Sequence, residues 1–370
     1  MKFAADCEAL HDAFQHVGSI ITSTIARPIY QNVKIEASEE GVFLSATDLE
    51  VGLRIQAQNV EIEEEGAVLT PYSRISPILR ATPDERITLE GDASSVTLKA
   101  SDGQFHMVSE NPEEYADISR LSEDSVIEVD PAVLQFMVDR TTFAAADEKG
   151  RYALNGILVL VDEDGNFEMV GADGARLANV KKKVSNPEGQ TVDCIIMKKG
   201  IQQAARLALL SEEPLRFQAT DNQFFAENGR GRLRCQLVEG QFPNYHEVIP
   251  RENKFKAELP TKATLNALRR ASFMTSDQTR VVDFTLSDGL LVLSSQSPDL
   301  GDAEVKVPID YDGEEREIAF NPEYIEQVLE VVDRESVKME FSDRGSPCVI
   351  RCGVDYVYVV SPVVREEAEK

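Results

Sequence analysis

The sequence predicts an α+β fold in which one plan, an antiparallel sheet with two helices, is repeated in three domains. Two observations carry this prediction: a strand-helix pattern that recurs at about one third of the chain, and β-branched runs separated by Gly, Asp and Asn turns. The length agrees, because 370 residues exceed what one hydrophobic core usually supports. We expect the domains at residues 1–124, 125–252 and 253–370.

The repeat is clearest where a short strand runs directly into a helix. This element reads KFAADCEALHDAFQHV from Lys2, VIEVDPAVLQFMVDRT from Val126 and KFKAELPTKATLNALRRA from Lys254. A second element of the same kind starts at Ala67, Asp193 and Glu317. Identity between the copies is weak, so the pattern and its spacing, more than matching residues, predict three copies of one plan.

Apolar spacing predicts two helices in each third of the chain. The clearest case is IEQVLEVV at 325–332, whose apolar positions follow i, i+3, i+4 and i+7. Prolines at positions 71, 131 and 322 fall at helix starts, where the missing N–H is harmless. The predicted helices are 7–17, 71–81, 131–141, 198–210, 261–272 and 322–332.

The segments between the helices read as antiparallel strands joined by tight turns. Examples are SVTLKAS at 95–101, ILVLVDEDGNFEMVG at 157–171 and LLVLSSQ at 290–296. The Asp-Gly pair of GADGARLA at 171–178 is typical of a hairpin turn. Sheet edges left open at the ends of such a chain favour pairing with a second copy, because ring closure removes them. We therefore expect a head-to-tail dimer.

Positive charge is concentrated on the predicted helices. The chain carries a formal net charge of −27, whereas the helix windows hold nine basic and six acidic side chains. Lysine and arginine are also good helix formers on solvated faces, which is the alternative explanation. If the helices line one surface, that surface contacts a polyanion such as duplex DNA without reading its sequence. The candidate DNA-facing residues are Arg74, Arg80, Arg140, Lys198, Lys199, Arg206, Lys262, Arg269 and Arg270.

Motifs of common catalytic and cofactor sites are absent from the sequence. There is no Gly-x-Ser-x-Gly elbow and no Gly-Lys-Ser/Thr loop, and the Gly-x-Gly at 229–231 lacks a third glycine. The five cysteines are scattered without Cys-x-x-Cys spacing, and the four histidines form no ligand pattern. We expect no catalytic residue, no metal and no cofactor. Acidic residues near the start and short apolar runs argue against a signal peptide or membrane span, so we expect a cytoplasmic protein.

Several motifs, in order and spacing, extend over the whole chain. They are MKF at the start, SATDLEVGL at 45–53, RYALNGILV at 151–159, GADGARLA at 171–178, LVEGQFPNYHEVIP at 237–250, FNPEYIEQVL at 320–329 and YVVSPV at 358–363. In these features the sequence resembles the bacterial beta sliding clamps, the processivity subunits of DNA polymerase III.

The resemblance implies a DNA-clamp architecture: a head-to-tail homodimeric ring that encircles duplex DNA and tethers the replicative polymerase, with no catalysis of its own. It implies as partners the DNA polymerase III catalytic subunit, the clamp loader, and other replication and repair proteins that carry short clamp-binding peptides. It also implies that helix end SFMTS of one copy meets strand edge QFHMVS of the other. The corresponding dimer-interface residues are Phe105, Met107, Phe273 and Met274.

In this family the loop corresponding to GADGARLA helps to form a hydrophobic cleft for partner peptides. The matching positions are Leu154, Gly174, Arg176, Leu177, Pro243, Val248, Asn321, Tyr324, Val359, Pro362 and Val363. The sequence departs from the common family pattern at Ala153, Ala172, Ala175, Glu247, Ser361 and Val363, and in the charged tail VREEAEK. If Leu177 and Val363 serve only this cleft, we expect their replacement by alanine to spare folding and to weaken peptide binding.

Two other classes of protein remain open from the sequence. A β-rich interaction scaffold that never meets DNA would agree with the acidic composition. A hydrolase would need carboxylates that converge from separate loops, which a sequence cannot show. A native mass of twice the monomer, with retention on circular but not linear duplex DNA, would select the clamp over both.

Overall fold

The structure, a computed structural model, describes residues 1–22, 27–122, 126–147, 153–276, 280–343 and 345–364. The predicted border between residues 124 and 125 and the charged tail from residue 365 lie outside the described residues. Elsewhere, antiparallel strands alternate with a few helices, which confirms the α+β class.

Helices form where the sequence predicts them, two in each third of the chain. Within the described residues they are α1 (Cys7–Gly18), α2 (Tyr72–Ala81), α3 (Pro131–Thr141), α4 (Lys198–Ala208), α5 (Thr261–Ser272) and α6 (Pro322–Val331). Short polar side chains cap the starts of α1 and α6, because a free backbone N–H needs an acceptor there. The Asp6 carboxylate accepts from the Ala9 N–H at 2.8 Å, and the Asn321 amide oxygen accepts from the Glu323 N–H at 3.1 Å.

Strands fill most of the remaining described chain. In the first third they are β1 (Lys2–Asp6), β2 (Asn32–Ser38), β3 (Gly41–Thr47), β4 (Val51–Gln56), β5 (Val60–Glu64), β6 (Gly66–Pro71), β7 (Arg86–Gly91), β8 (Ser95–Lys99) and β9 (Gln104–Val108). In the second they are β10 (Ile127–Val129), β11 (Gly156–Val161), β12 (Asn166–Ala172), β13 (Arg176–Lys183), β14 (Val192–Met197), β15 (Leu215–Ala219), β16 (Gln223–Asn228) and β17 (Gly231–Gln236). In the last they are β18 (Phe255–Pro260), β19 (Val282–Ser287), β20 (Leu290–Ser297), β21 (Gly301–Pro308), β22 (Arg316–Phe320), β23 (Ser336–Phe341), β24 (Cys348–Cys352) and β25 (Tyr356–Val360).

The first of two compact units comprises Met1–Leu134, Ser185–Gln190 and Lys199–Leu237. It holds a five-stranded sheet of order β5-β1-β7-β8-β9 and an eight-stranded sheet of order β10-β15-β16-β17-β4-β3-β2-β6. Helices α1 and α2 pack on each other, and α1 also contacts β3 and β4. Leu10, Phe14 and Val17 are the buried face of α1, at the helical spacing that the sequence shows.

The second unit comprises Gln135–Val184, Thr191–Lys198 and the chain from Val238 onward. It repeats the same plan, with an eight-stranded sheet of order β14-β11-β12-β13-β25-β24-β23-β18 and a four-stranded sheet of order β21-β20-β19-β22. Helices α5 and α6 pack on each other, and α5 covers β20 and β21. Phe284 and Phe320 meet edge to face in the core of this smaller sheet, with ring centroids 5.2 Å apart.

Each eight-stranded sheet joins two thirds of the chain by direct strand pairing. In the first unit, β4 pairs with β17 and places Leu53 opposite Leu233. In the second, β13 pairs with β25 and places Leu177 opposite Val359. Because the sheets continue across the predicted borders, the two compact units do not follow the three predicted domains.

Candidate functional site

The GADGARLA stretch is a hairpin turn between β12 and β13, as the Asp-Gly pair predicts. Gly174 has a φ of +94°, a conformation that glycine adopts without strain. The Asp173 carboxylate accepts from the N–H groups of Ala175 at 2.9 Å and Arg176 at 3.0 Å, which closes the turn. The turn thereby places Arg176 and Leu177 at the first two positions of β13.

Arg176 is enclosed by protein groups, although the resemblance assigns it to an open cleft. Its Nε donates to Asp173 at 2.9 Å, its Nη2 donates to the Phe143 carbonyl at 2.7 Å, and its Nη1 donates to Gln327. The guanidinium carbon also lies 4.3 Å from the centre of the Tyr324 ring. Burial opposes the charge, yet Tyr358 and Asp173 hold the pKa of Arg176 above its usual value. Arg176 thus joins β13 to α6 and has little freedom to bind a ligand.

Leu177 and Val359 are interior residues. They face each other across β13 and β25, and Leu177 is only 3% exposed. Both belong to a hydrophobic cluster on the eight-stranded sheet of the second unit, which we call the sheet cluster. Its buried members are Ala153, Leu158, Val170, Ala172, Leu177, Ile195, Tyr245, Val349 and Val359.

Partly buried apolar side chains cover the sheet cluster and form its outer surface. Leu154, one of the positions that the resemblance assigns to the cleft, is among them. Phe242 and Ile249 are two more, and they flank the assigned Pro243 and Val248. The sequence reading missed both, although the apolar stretch FPNYHEVIP contains them. Val248 itself is exposed, whereas Pro243 is half-buried.

The chain after β25 forms the other side of the assigned positions. The Ser361 N–H donates to the Ala175 carbonyl at 2.8 Å, and the Val363 N–H donates to the Ala319 carbonyl at 2.8 Å. These two bonds hold the segment between the GADGARLA turn and the end of β22. Pro362 is buried there, whereas the Val363 side chain is 36% exposed.

Asn321 and Tyr324 lie at the start of α6, next in the chain to β22. Asn321 is half-buried, and its amide oxygen is committed to the helix cap described above. Tyr324 is also half-buried, and its carbonyl accepts from the Tyr358 hydroxyl at 2.8 Å. The assigned cleft positions therefore split into a buried layer and an accessible one. The accessible or partly accessible positions are Leu154, Gly174, Pro243, Val248, Asn321, Tyr324 and Val363.

The candidate DNA-facing residues also divide into two groups. Arg74, Arg80, Arg206, Lys262 and Arg270 are exposed and form no ion pair with another described residue. Lys198 pairs with Asp147 at 3.1 Å, Lys199 with Asp48 at 2.6 Å, and Arg269 with Glu326 at 2.6 Å and with Glu330. These three partnered cations are less available to a polyanion.

Arg140 contradicts the expectation of a DNA-facing side chain. It is only 7% exposed, and its guanidinium donates to Asp333 at 3.1 Å. The guanidinium carbon lies 3.5 Å from the centre of the Phe136 ring. Arg140 is a candidate because it is a basic residue of the predicted helix 131–141, but the contacts that bury its side chain are not visible in the sequence.

The candidate dimer residues lie at a strand edge and a helix end. Phe273 follows α5 directly and is 74% exposed, and Met274 is half-buried. Strand β9 is an edge of the five-stranded sheet, and Phe105 on it is exposed. Met107 departs from the expectation, because it faces inward opposite Val96 and is only 9% exposed. The exposed apolar residue at this end of β9 is Val108, which the sequence reading missed.

The described part of the chain holds no disulfide, no cluster of metal ligands and no helix suited to span a membrane. All five cysteines are buried, and none of them forms a disulfide. No group of three or more His, Cys, Asp or Glu residues is placed to hold a metal ion among the described residues. Within the same residues, no helix is long and apolar enough to cross a membrane.

Comparison with known proteins defines the class. The N-terminal, central and C-terminal domain models of the DNA polymerase III beta subunit match residues 1–119, 128–244 and 246–362. The beta sliding clamp of Caulobacter vibrioides is 29% identical over 373 residues, covering 98% of this chain and 100% of that protein. The beta sliding clamp of Chlamydia muridarum is 26% identical over 364 residues, covering 98% of this chain and 99% of that protein.

A solved structure agrees with these relatives. The Pseudomonas aeruginosa DNA polymerase III subunit beta, crystallised with griselimycin, superimposes with a TM-score of 0.91 at 27% identity. The match covers 99% of this chain and 100% of that one. The fold is therefore the three-domain sliding-clamp fold. The chain belongs to the DNA polymerase III beta subunit family and is a sliding clamp, the processivity factor of DNA replication.

Proposed function

We propose that two copies of this chain join head to tail into a ring that encircles duplex DNA. The observation that carries the proposal is the strand pairing between successive thirds of the chain, β4 with β17 and β13 with β25. Strand pairing joins the first third to the second and the second third to the last. A further joint, between the last third of one copy and the first third of the other, would close the ring. The open edge strands β9 and β21 and the exposed Phe273 are suited to form it.

The exposed cations of the helices are proposed to face the DNA. Arg74, Arg80, Arg206, Lys262 and Arg270 carry charge that no described residue neutralises by an ion pair. Contacts from such side chains to phosphates are independent of base sequence and weaken as salt rises, which suits sliding. The acidic remainder of the chain would keep DNA from binding elsewhere.

The accessible surface of the sheet cluster is proposed to bind short peptides of partner proteins. Leu154, Val248 and Val363 offer apolar contacts, and Tyr324 and Asn321 offer polar groups at the rim. Partners would be the DNA polymerase III catalytic subunit, the clamp loader, and other replication and repair proteins with clamp-binding peptides. In this role Arg176 holds β13 against α6 instead of binding the peptide.

The chain is proposed to act without catalysing a reaction, in the cytoplasm where bacterial DNA lies. The exact domain borders, 1–124, 125–252 and 253–370, remain part of the proposal. Family matches that end near residues 119 and 244 support borders close to these.

A native mass of twice 41.0 kDa, together with retention on circular but not linear duplex DNA, would support the ring. A monomer, or equal release from both DNA forms, would contradict it. An interaction scaffold would remain on neither form of DNA.

A further inference from the structure

A cavity of about 230 Å³ lies in the second unit, outside the sheet cluster and the candidate cleft. It is lined by residues of α3, the end of β13, the segment after α6 and the turn between β24 and β25, and it opens to solvent beside the exposed Asp333 and Arg334. A water molecule occupies roughly 30 Å³ in the liquid, so the cavity has room for a multi-atom ligand. Of the residues assigned above to DNA binding, dimer formation or peptide binding, only the buried Arg140 lines it.

The floor of the cavity is apolar and uncharged. Tyr356 and Cys352 are buried, and the Tyr356 hydroxyl is used in donating to the Arg140 carbonyl at 3.1 Å. Burial raises the pKa of Cys352 to about 12, so its thiol is protonated at neutral pH. Neither group adds negative charge to the cavity.

Three cations and two carboxylates line the cavity above this floor. Arg140 and Lys182 both lie against the Phe136 ring, at 3.5 and 4.3 Å from its centre. Each has one carboxylate partner: Asp333 for Arg140 and Asp355 for Lys182. Arg140 also donates to the Phe136 carbonyl at 3.3 Å, but a guanidinium has five N–H donors and keeps others free.

Arg334 is the third cation, and no described residue forms a hydrogen bond or ion pair with it. Gly353 gives it space: a Cβ on that residue would lie 2.6 Å from Arg334 Nη2 and 3.3 Å from Asp355 Oδ1. A side chain there would therefore displace the polar groups at the cavity. The lining carries a formal excess of one positive charge, in a chain whose formal net charge is −27.

We propose that this cavity binds a small polyvalent oxyanion of the phosphate class, either free or as the phosphate end of a nucleotide. The planar guanidinium of Arg334 matches two phosphate oxygens at once, and Arg140 and Lys182 add charge from the cavity wall. The two carboxylates of the lining are each paired with a cation, Asp333 with Arg140 and Asp355 with Lys182, so the unpaired charge that a ligand meets is the positive charge of Arg334. The volume of the cavity also leaves room for water molecules beside a bound oxyanion.

The test uses the full chain and pyrophosphate as the probe, measured by isothermal titration in a phosphate-free and sulfate-free buffer at fixed ionic strength. We expect saturable binding of one pyrophosphate per chain. Arg334→Ala should weaken that binding about tenfold or more, which is about 1.4 kcal/mol. Arg334→Lys should restore part of the loss, because the charge returns without the planar fork.

Lys338→Ala is the matched control, since Lys338 is an exposed cation on β23 that does not line the cavity. Unchanged binding by this variant, with loss in Arg334→Ala, supports the site. Absence of saturation up to about 10 mM pyrophosphate, or equal weakening in both variants, overturns it. Titration with orthophosphate and with a deoxynucleoside triphosphate distinguishes the sources. Tighter binding of the triphosphate than of pyrophosphate assigns the cavity to a nucleotide, and equal binding assigns it to the free oxyanion.

Discussion

Replacing Leu177 by alanine should destabilise the folded chain, whereas replacing Val363 should not. Leu177 is 3% exposed and packs in the sheet cluster, where its partner Val359 is equally buried. Removing a buried leucine side chain leaves a cavity and costs about 2–5 kcal/mol. For units of this size the melting temperature should fall by roughly 4–20 °C.

Val363 offers the opposite case within the same candidate cleft. Its side chain is 36% exposed, and its N–H bond to Ala319 is a backbone bond that alanine keeps. Val363→Ala should therefore cost less than about 1 kcal/mol of stability. If Val363 contacts a partner peptide, Val363→Ala should also weaken the binding of a polymerase-derived peptide about tenfold.

The assay is thermal unfolding followed by circular dichroism, with peptide affinity measured on the folded fraction. Val354→Ala is the control, because Val354 is fully exposed on the turn after β24 and should change neither quantity. An unchanged melting temperature for Leu177→Ala would show that Leu177 is not a core residue and would restore the expectation drawn from the sequence. Unchanged peptide affinity in Val363→Ala would remove Val363 from the cleft.

Three further perturbations test other parts of the molecule. Phe273→Asp should yield folded monomers by native mass, while Leu209→Asp, at another exposed apolar residue, should stay dimeric. A dimeric Phe273→Asp refutes the proposed joint. Arg206→Ala should reduce the slope of log DNA affinity against log salt concentration by up to about one released counterion. Arg269→Ala should reduce this slope less, because Glu326 and Glu330 already neutralise Arg269. Equal reductions in the two variants would contradict this difference. Burial lowers the pKa of His16 from its usual 6.5, so the folded state binds this proton less readily than the unfolded state. The contribution of His16 to stability is therefore present above pH 6.5 and is lost as pH falls. His16→Gln should reduce the drop in melting temperature between about pH 7 and 5, and an unchanged pH profile would contradict this expectation.

Local patterns in the sequence determined the elements of the fold. The apolar spacing of 325–332 and the prolines at helix starts predicted helices that the structure confirms to within two residues or so. The Asp-Gly pair predicted the turn at Gly174. Such features are local, because helix periodicity, caps and positive φ depend on residues that are close in the chain.

Tertiary structure decided which side chains remain accessible. Arg140 and Arg206 both lie in the last turn of a helix, α3 and α4, yet Asp333 and Phe136 enclose Arg140 while Arg206 is exposed. Leu177 and Val363 were assigned to the same cleft, yet strand pairing buries the first and leaves the second at the surface. Arg334 and Lys182 share a cavity although they are far apart in the chain. The sequence alone could not show these outcomes, because burial and ion pairing depend on contacts between residues that only the folded sheets bring together.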